Sequence, residues 1–549
     1  MVLIFALLPL WAFRGHIDLS DSISTWPKSP QQPLQQQPQQ QPQQPAVWTS
    51  KHHPIYHLAE EARAKFDEIS ARQPKSLNDA VVEYKRRYGR APPPGFDKWF
   101  EFATDNNVQW INEYDFLTKS FEPYWQVPPN ILRNYVDQAH QGPENNFNVL
   151  YVKDKTARLE RGSFQHAQLV ELIQPIVQYL PDFKAILNEP DEPRVMIPYD
   201  KQGNSHSTIQ DPQAEPVYFN FQDKQIIWDS VTLSCSPDSL ARSGVIKPET
   251  KPFWPPFVSN LTESQDICLR PATDSIKHGF LSSPSTFHYT HRPVPVLATS
   301  KFSTFSDIMI PSSYYFQADI AYYDEKLDIP WEDKKDVVYW RGTGTGGHWT
   351  KGSWSMGHRQ RFVNFTNFPE ADTVLLQKSK EGKWTAHKST VREVSSKLDV
   401  KFMKFIQCDP EDCENQEKYF NKVQADSNND ANQFKILYNL DGNSFSGRYY
   451  RFLKSNSLVF MQAMFKEWHD DRLLPWVHFV PIGLGTEELP EATRYLLDDE
   501  EGKLVAARMA NESREWSRRV LRQVDLTAAY YRAFLEYARL INDARSTLV

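Results

Sequence analysis

Hydrophobic and polar positions along this chain follow two periods, and the change from one to the other divides it. Residues 58–72 and 77–88 carry apolar side chains at three- and four-residue steps, which predicts two helices, and Pro92, Pro93, Pro94 and Gly95 stop the second. A third helix is expected over 107–121. From about residue 130 short apolar runs replace the long amphipathic ones. Residues 148–152 and 183–187 read as strands, with an amphipathic helix predicted between them over 164–179. Residues 335–340, 434–440, 457–462 and 474–481 are further runs of strand length rich in β-branched and aromatic residues. From 489 onward the helical period returns, with Trp516, Val520, Val524, Ala528, Tyr531, Leu535 and Ala538 on one stripe. The fold class is therefore α/β, with helical ends.

The clearest unit is 434–462. An apolar strand runs into Asp441-Gly-Asn-Ser-Phe-Ser-Gly447, a helix-like run 448–454 follows, and a second strand begins at 457. A small-residue loop between a strand's carboxyl end and a helix's amino end exposes unpaired N–H groups, a ready anion site. Ser444, Phe445, Ser446, Gly447 and Arg448 are its candidate ligand residues; the alternative is a plain βα turn. Arg341-Gly-Thr-Gly-Thr-Gly-Gly347 is a second such loop, in which Arg341, Gly342 and Thr343 are candidates. Its spacing fits neither the dinucleotide fingerprint nor the P-loop, whose lysine it lacks. After the 183–187 run comes Asn188-Glu-Pro-Asp-Glu-Pro193, acids at a strand's carboxyl end, where open α/β sheets hold ligands. Asp191 is the candidate general base. Glu189 with Asp191 also offers a weak metal pair; the favoured alternative is that Glu189, Asp191 and Glu192 are simply turn residues. Glu467 is a candidate acceptor for sugar hydroxyls. His478 reads as a core histidine; His358, Arg359 and Arg361, and likewise Arg86, Arg87 and Arg90, read as surface charge.

Composition narrows the partners. The 549 residues carry a formal charge of −7 with no long basic block, so a nucleic-acid surface is not indicated. Four cysteines fall as two pairs, Cys235 with Cys268 and Cys408 with Cys413, and disulfides are the preferred reading. Asn260, Asn364 and Asn511 begin glycosylation sequons usable in the same oxidising compartment. Met1 to Phe13 is apolar throughout, and 29–46 is almost entirely Gln and Pro, which buries too little to fold. The expected layout is a signal anchor at 1–14, a disordered stem at 15–50 and a helical module at 51–129. Two α/β domains follow at 130–330, with long loops, and 331–490, and helices at 491–549 pack back on the body.

Three stretches in order carry a family resemblance: Trp340-Arg-Gly-Thr-Gly-Thr-Gly-Gly347, Asn439-Leu-Asp-Gly-Asn-Ser-Phe-Ser-Gly-Arg448 and Pro475-Trp-Val-His-Phe-Val-Pro481. They resemble glycosyltransferase family 90, the capsule-associated xylosyltransferases and protein O-glucosyltransferases, and the front module around Arg86-Arg-Tyr-Gly-Arg90 is similar to the fungal branch. The resemblance implies a GT-B architecture, two Rossmann-like domains facing across a cleft. It implies an inverting, metal-free enzyme, anchored in the membrane of the Golgi or endoplasmic reticulum and facing its lumen, that moves xylose or glucose from a UDP-sugar to a glycan or glycoprotein. It assigns the base to Asp191 and diphosphate contacts to Arg341 and to the loop from Ser444 to Arg448. The competing readings are a metal-dependent GT-A transferase using Glu189 and Asp191, and a silent sugar-binding scaffold.

Overall fold

The computed structural model describes residues 47–545, apart from 143–144, 203–216, 218, 223, 245–252, 318–319, 321 and 428. The expected anchor and nearly all of the stem lie outside the described residues. The stem boundary moves, however: Val47–Trp48 pairs antiparallel with Trp384–Thr390, so ordered structure begins before residue 51. No helix among the described residues is long and apolar enough to cross a membrane.

The architecture is mixed α/β, with two five-stranded sheets. In the second, Leu398–Lys404, Lys335–Thr343, Phe434–Leu440, Leu458–Gln462 and Val480–Pro481 lie side by side, all parallel. Helices cover both faces, which is why Phe434–Leu440 and Leu458–Gln462 are almost wholly buried and show no alternation. The stretch 384–402, which carries no readable period, divides between this sheet and an antiparallel three-stranded one with Asp372–Lys378.

The first sheet departs from the strand-helix alternation read from the sequence. Its order is Thr156–Leu159, Phe147–Lys153, Phe183–Asn188, Leu297–Ala298 and Ile308–Met309, antiparallel on one side and parallel on the other. Asp154 and Lys155 both take positive φ, 49° and 61°, and make a tight two-residue hairpin turn. The helix expected over 164–179 shrinks to Leu169–Ile173 plus a 3-10 turn at Val177–Tyr179. Pro175 has no N–H for an i−4 carbonyl, so the helix cannot run through.

At the front, Pro54–Ala71 and Leu77–Tyr88 are helices as expected, the second closed by Gly89 at φ 64°. The helix expected over 107–121 is absent apart from Asp115–Lys119, because Asn107 and Trp110 adopt positive φ, 52° and 51°. A helix not foreseen, Phe96–Asp105, starts from Gly95 with Asp97 in its first turn. Arg87 is not a surface charge: its side chain is 9% exposed and pairs with Glu83, Glu113 and Asp115.

The carboxyl-terminal helices, Leu489–Asp498, Glu500–Val520 and Gln523–Leu540, pack back as expected. The last of them is buried nearly all round, packed on Phe96–Asp105 and Leu169–Ile173. Trp99, fully buried, donates its indole N–H to the Ala528 carbonyl at 2.9 Å. The Arg532 guanidinium lies 4.8–5.7 Å from the centroids of Phe96, Trp99, Tyr84 and Tyr114. One hydrophobic core therefore joins the front helices, the first sheet and the last helix. Both disulfides form, Cys235–Cys268 and Cys408–Cys413, with Cα separations of 5.3 and 5.4 Å. Asn260 and Asn511 are exposed, and the Asn364 side chain accepts a hydrogen bond from Tyr419.

Truncating Trp99 leaves a large cavity and an unpaired carbonyl. Trp99→Ala is expected to cost about 3–5 kcal/mol, read as a lowered midpoint in chemical unfolding.

Candidate active site

The carboxyl ends of strands from both sheets open on a cleft of about 550 Å³. The loop after Phe434–Leu440 forms one wall. Its first residue, Asp441, is 2% exposed, and its carboxylate accepts the Met464 and Phe465 N–H groups, the first bond 2.6 Å long. Burial, offset by those N–H bonds, pushes its pKa up to about 7. Gly442 donates to the Ser444 carbonyl at 2.7 Å and tightens the loop. Gly447 is a glycine for space: a Cβ there would lie 2.5 Å from the Tyr314 ring.

The end of Lys335–Thr343 and the Gly/Thr loop after it form the adjoining wall. The strand runs through Thr343, so Arg341 is a strand residue on the same face as Tyr339. Its guanidinium pairs with Asp399 and Asp426 and lies over the Tyr339 ring, and it does not reach the cleft. This corrects the diphosphate contact expected of Arg341. Gly342 and Thr343 do line the cleft, as do Ser444, Phe445, Ser446, Gly447 and Arg448.

The second cation is Arg359 instead. It projects from the first turn of His358–Asn367, and it is buried rather than a surface charge, as are His358 and most of Arg361. Nε donates to the Asp441 carbonyl at 2.7 Å; Nη1 donates to Thr345 Oγ1 at 2.7 Å and to the Thr343 carbonyl at 3.1 Å. Arg448 donates to the Arg341 carbonyl. Neither guanidinium pairs with a carboxylate among the described residues. Burial, then the positive charge of Arg448, pushes the Arg359 pKa down, opposed by the Asp441 carboxylate, and burial lowers that of Arg448. A sequence signal for Arg359 existed. Cations in a helix's first turn oppose its dipole, so they need a compensating anion. The helix after the 441–448 loop, Tyr449–Lys454, is only six residues long, so its dipole adds little positive potential at the loop.

Asp191 faces the same cleft from the first sheet. Asn188, at the end of Phe183–Asn188, donates to the Pro190 and Glu192 carbonyls at 2.9 and 2.8 Å and fixes the turn. Gln165 Nε2 donates to Asp191 Oδ1 at 2.7 Å, and Asn443 Nδ2 to Oδ2 at 3.2 Å. Burial raises the Asp191 pKa, opposed by hydrogen bonds from Asn443, Gln165 and Ser444. Glu192, wholly buried beside it, is pushed up to about 8. Asn443 Oδ1 also accepts the Gly346 N–H at 3.1 Å, so one amide joins the 341–347 and 441–448 loops to Asp191. Neither Gln165 nor Asn443 carried a sequence signal; each matters through a partner more than 25 residues away.

Glu467 does not join the site. It is 6% exposed and both its oxygens accept from the Tyr315 hydroxyl at 2.9 Å. Glu189 is not on the cleft wall either, and one of its oxygens is buried without a partner. His478 is a core histidine: Nδ1 accepts the Leu474 N–H at 2.8 Å, and the ring stacks on Trp516. Phe164, 66% exposed, stands at the cleft 5.3 Å from Tyr314.

Across the cleft, the guanidiniums of Arg359 and Arg448 and a small-residue loop face the Asp191 carboxylate. Comparison with known proteins bears out the resemblance drawn from the loops: residues 370–546 match the model of glycosyl transferase family 90. The match covers the 441–448 loop but neither Asp191 nor the 341–347 loop. The chain is 23% identical over 274 residues to an O-glucosyltransferase rumi homolog of Aedes aegypti, covering 46% of this chain and 58% of that protein. It is 21% identical over 281 residues to Protein O-glucosyltransferase 1 of Homo sapiens, covering 45% and 58%. The chain thus spans under two thirds of the curated relatives it matches.

Arg359→Gln should weaken binding of inorganic pyrophosphate about tenfold or more, since a hydrogen bond to a charged group contributes ~1.5–3 kcal/mol. Arg341→Gln should leave it within about twofold. Titration calorimetry on both variants checks the exchange of roles.

Proposed function

We propose that this protein is an inverting glycosyltransferase that moves a sugar, glucose or xylose, from a UDP-sugar to a hydroxyl of a glycan or glycoprotein. The observation that carries the proposal is the cleft itself. One wall presents Asp191, its carboxylate aimed by two side-chain amides, and the facing wall presents Arg359, Arg448 and the Ser444 to Gly447 loop. The two sheets then serve as the acceptor and donor lobes of a GT-B-like arrangement, with domains near 130–330 and 331–490.

In the reaction, Asp191 takes the proton of the acceptor hydroxyl while that oxygen bonds to the anomeric carbon. The bond from that carbon to the diphosphate oxygen breaks on the opposite face, and UDP leaves with the electron pair. Arg359 and Arg448 stabilise the charge that accumulates there. Gln165 and Asn443 hold the carboxylate toward the acceptor. The raised pKa moves Asp191 toward the working pH, where a base is most effective.

Metal-independence belongs to this reading, because fixed guanidiniums then supply the charge a divalent ion would otherwise provide. The metal-dependent alternative needs Glu189 and Asp191 to converge on one ion, whereas both Asp191 oxygens already accept amide N–H groups and Glu189 is not on the cleft wall. Residence in the lumen of the secretory pathway fits the two disulfides. The relatives' names favour glucose as the first donor to test.

Asp191→Asn should lower transfer about a hundredfold or more while UDP affinity, read by calorimetry, stays within about threefold. In the native protein kcat/KM should fall as pH drops through a value above the ordinary carboxylate pKa of about 3.9, because the base acts deprotonated and burial raises its pKa. That limb should vanish from the residual activity of Asp191→Asn. Activity that survives EDTA supports the arginine cradle, and activity that EDTA abolishes overturns the metal-free assignment.

A further inference from the structure

Phe164 is the most exposed of the large apolar side chains lining the transfer cleft, at 66%, against 37% for Ile406. The segment that carries it is tied down. Gln317 Nε2 donates to the Phe164 carbonyl, and Ser313 Oγ donates to the Gln165 carbonyl at 3.2 Å. The ring lies against Tyr314, centroids 5.3 Å apart, and Tyr314 meets the Phe445 ring edge-on at 6.3 Å. Three aromatic rings thus form a row along the cleft, with Phe445 in the 441–448 loop at one end and Phe164 at the other.

The Phe164 end belongs to Asp191. Gln165, the next residue in the chain, donates to Asp191 Oδ1 at 2.7 Å. A ligand resting on the Phe164 ring therefore lies one residue from the side chain that holds the base, whereas Arg359 and Arg448 are fixed to the other wall. An apolar ring left open to water inside a cleft of this size is a contact surface for a ligand. The face of such a ring carries partial negative charge and attracts C–H groups. Around it the wall is polar, with Asp191, Gln165, Asn443 and Ser444 on the same cleft. An apolar peptide side chain would gain the ring but desolvate those groups without bonding them. A pyranose, with a face of C–H bonds and a rim of hydroxyls, satisfies both.

We propose, on the transferase reading above, that the acceptor is a glycan and that Phe164 selects it: a pyranose ring of the acceptor lies on the Phe164 face, which delivers one of its hydroxyls to Asp191. That hydroxyl gives its proton to the carboxylate and its oxygen bonds to the donor's anomeric carbon, as UDP leaves with the electron pair. Phe164 touches the acceptor and makes no contact with the nucleotide.

The test is saturation-transfer NMR on the whole protein saturated with UDP. The probes are the methyl glycosides of glucose, galactose, mannose and xylose, with N-acetylserine amide standing for a protein hydroxyl. At least one glycoside should bind, with saturation strongest on the C–H protons of one ring face. Phe164→Ala should weaken that binding about fivefold or more, and Phe164→Trp should keep it within about twofold, because the stacking face is retained. UDP affinity, read by calorimetry, should be unchanged in both variants. The proposal is overturned if UDP binds and no glycoside does, if the serine probe alone binds, or if Phe164→Ala leaves glycoside binding as it was. It is overturned equally if Phe164→Ala weakens UDP instead, which would make the ring a nucleotide contact. If UDP fails to bind the native protein, the transferase reading falls and this proposal falls with it.

Discussion

Arg359 is the interaction on which the site depends. Its guanidinium is shared between the carbonyl that opens one loop and the carbonyl and hydroxyl of the other, so a single cation fixes the spacing of two loops on one parallel sheet. Such a charge is held in the interior by the carbonyls and hydroxyl around it and by the nearby Asp441 carboxylate, which partly offsets it. Arg448 adds a second guanidinium, and the repulsion between the two lowers the Arg359 pKa.

Asn443 extends this order across the cleft. Its carbonyl oxygen takes the Gly346 N–H and its amide nitrogen reaches Asp191, so the position of the carboxylate is referred to the 341–347 and 441–448 loops and not only to its own strand. Gln165 donates to the other carboxylate oxygen. A carboxylate held by two neutral donors keeps its orientation and its high pKa together, a combination a salt bridge would destroy by lowering the pKa.

What could be read from the sequence follows physical range. Strands 183–188 and 434–440, the loop at 441–448 and the placement of Asp191 at a strand end are set by local runs and turn residues, and all are present. Arg341 failed because the strand continued through Gly342 to Thr343, and one residue of strand length decides which face a side chain occupies. Arg359 and Arg87 looked like surface charge because their partners are remote in sequence. The helices at 107–121 and 164–179 were lost to a pair of left-handed residues and a proline, signals that local periodicity ignores.

The last helix also has a temporal meaning. Trp99 meets its carbonyl partner 429 residues later in the chain, and Tyr84 meets Glu536 across a still longer interval. During synthesis the front helices leave the ribosome long before the segment that buries them, and their aromatic faces wait uncovered while both sheets are made. Closure of the first core is therefore among the final events of folding, in a topology whose large loop-closure entropy makes it slow. Such a chain places its greatest demand on the folding assistants of the compartment where its disulfides form.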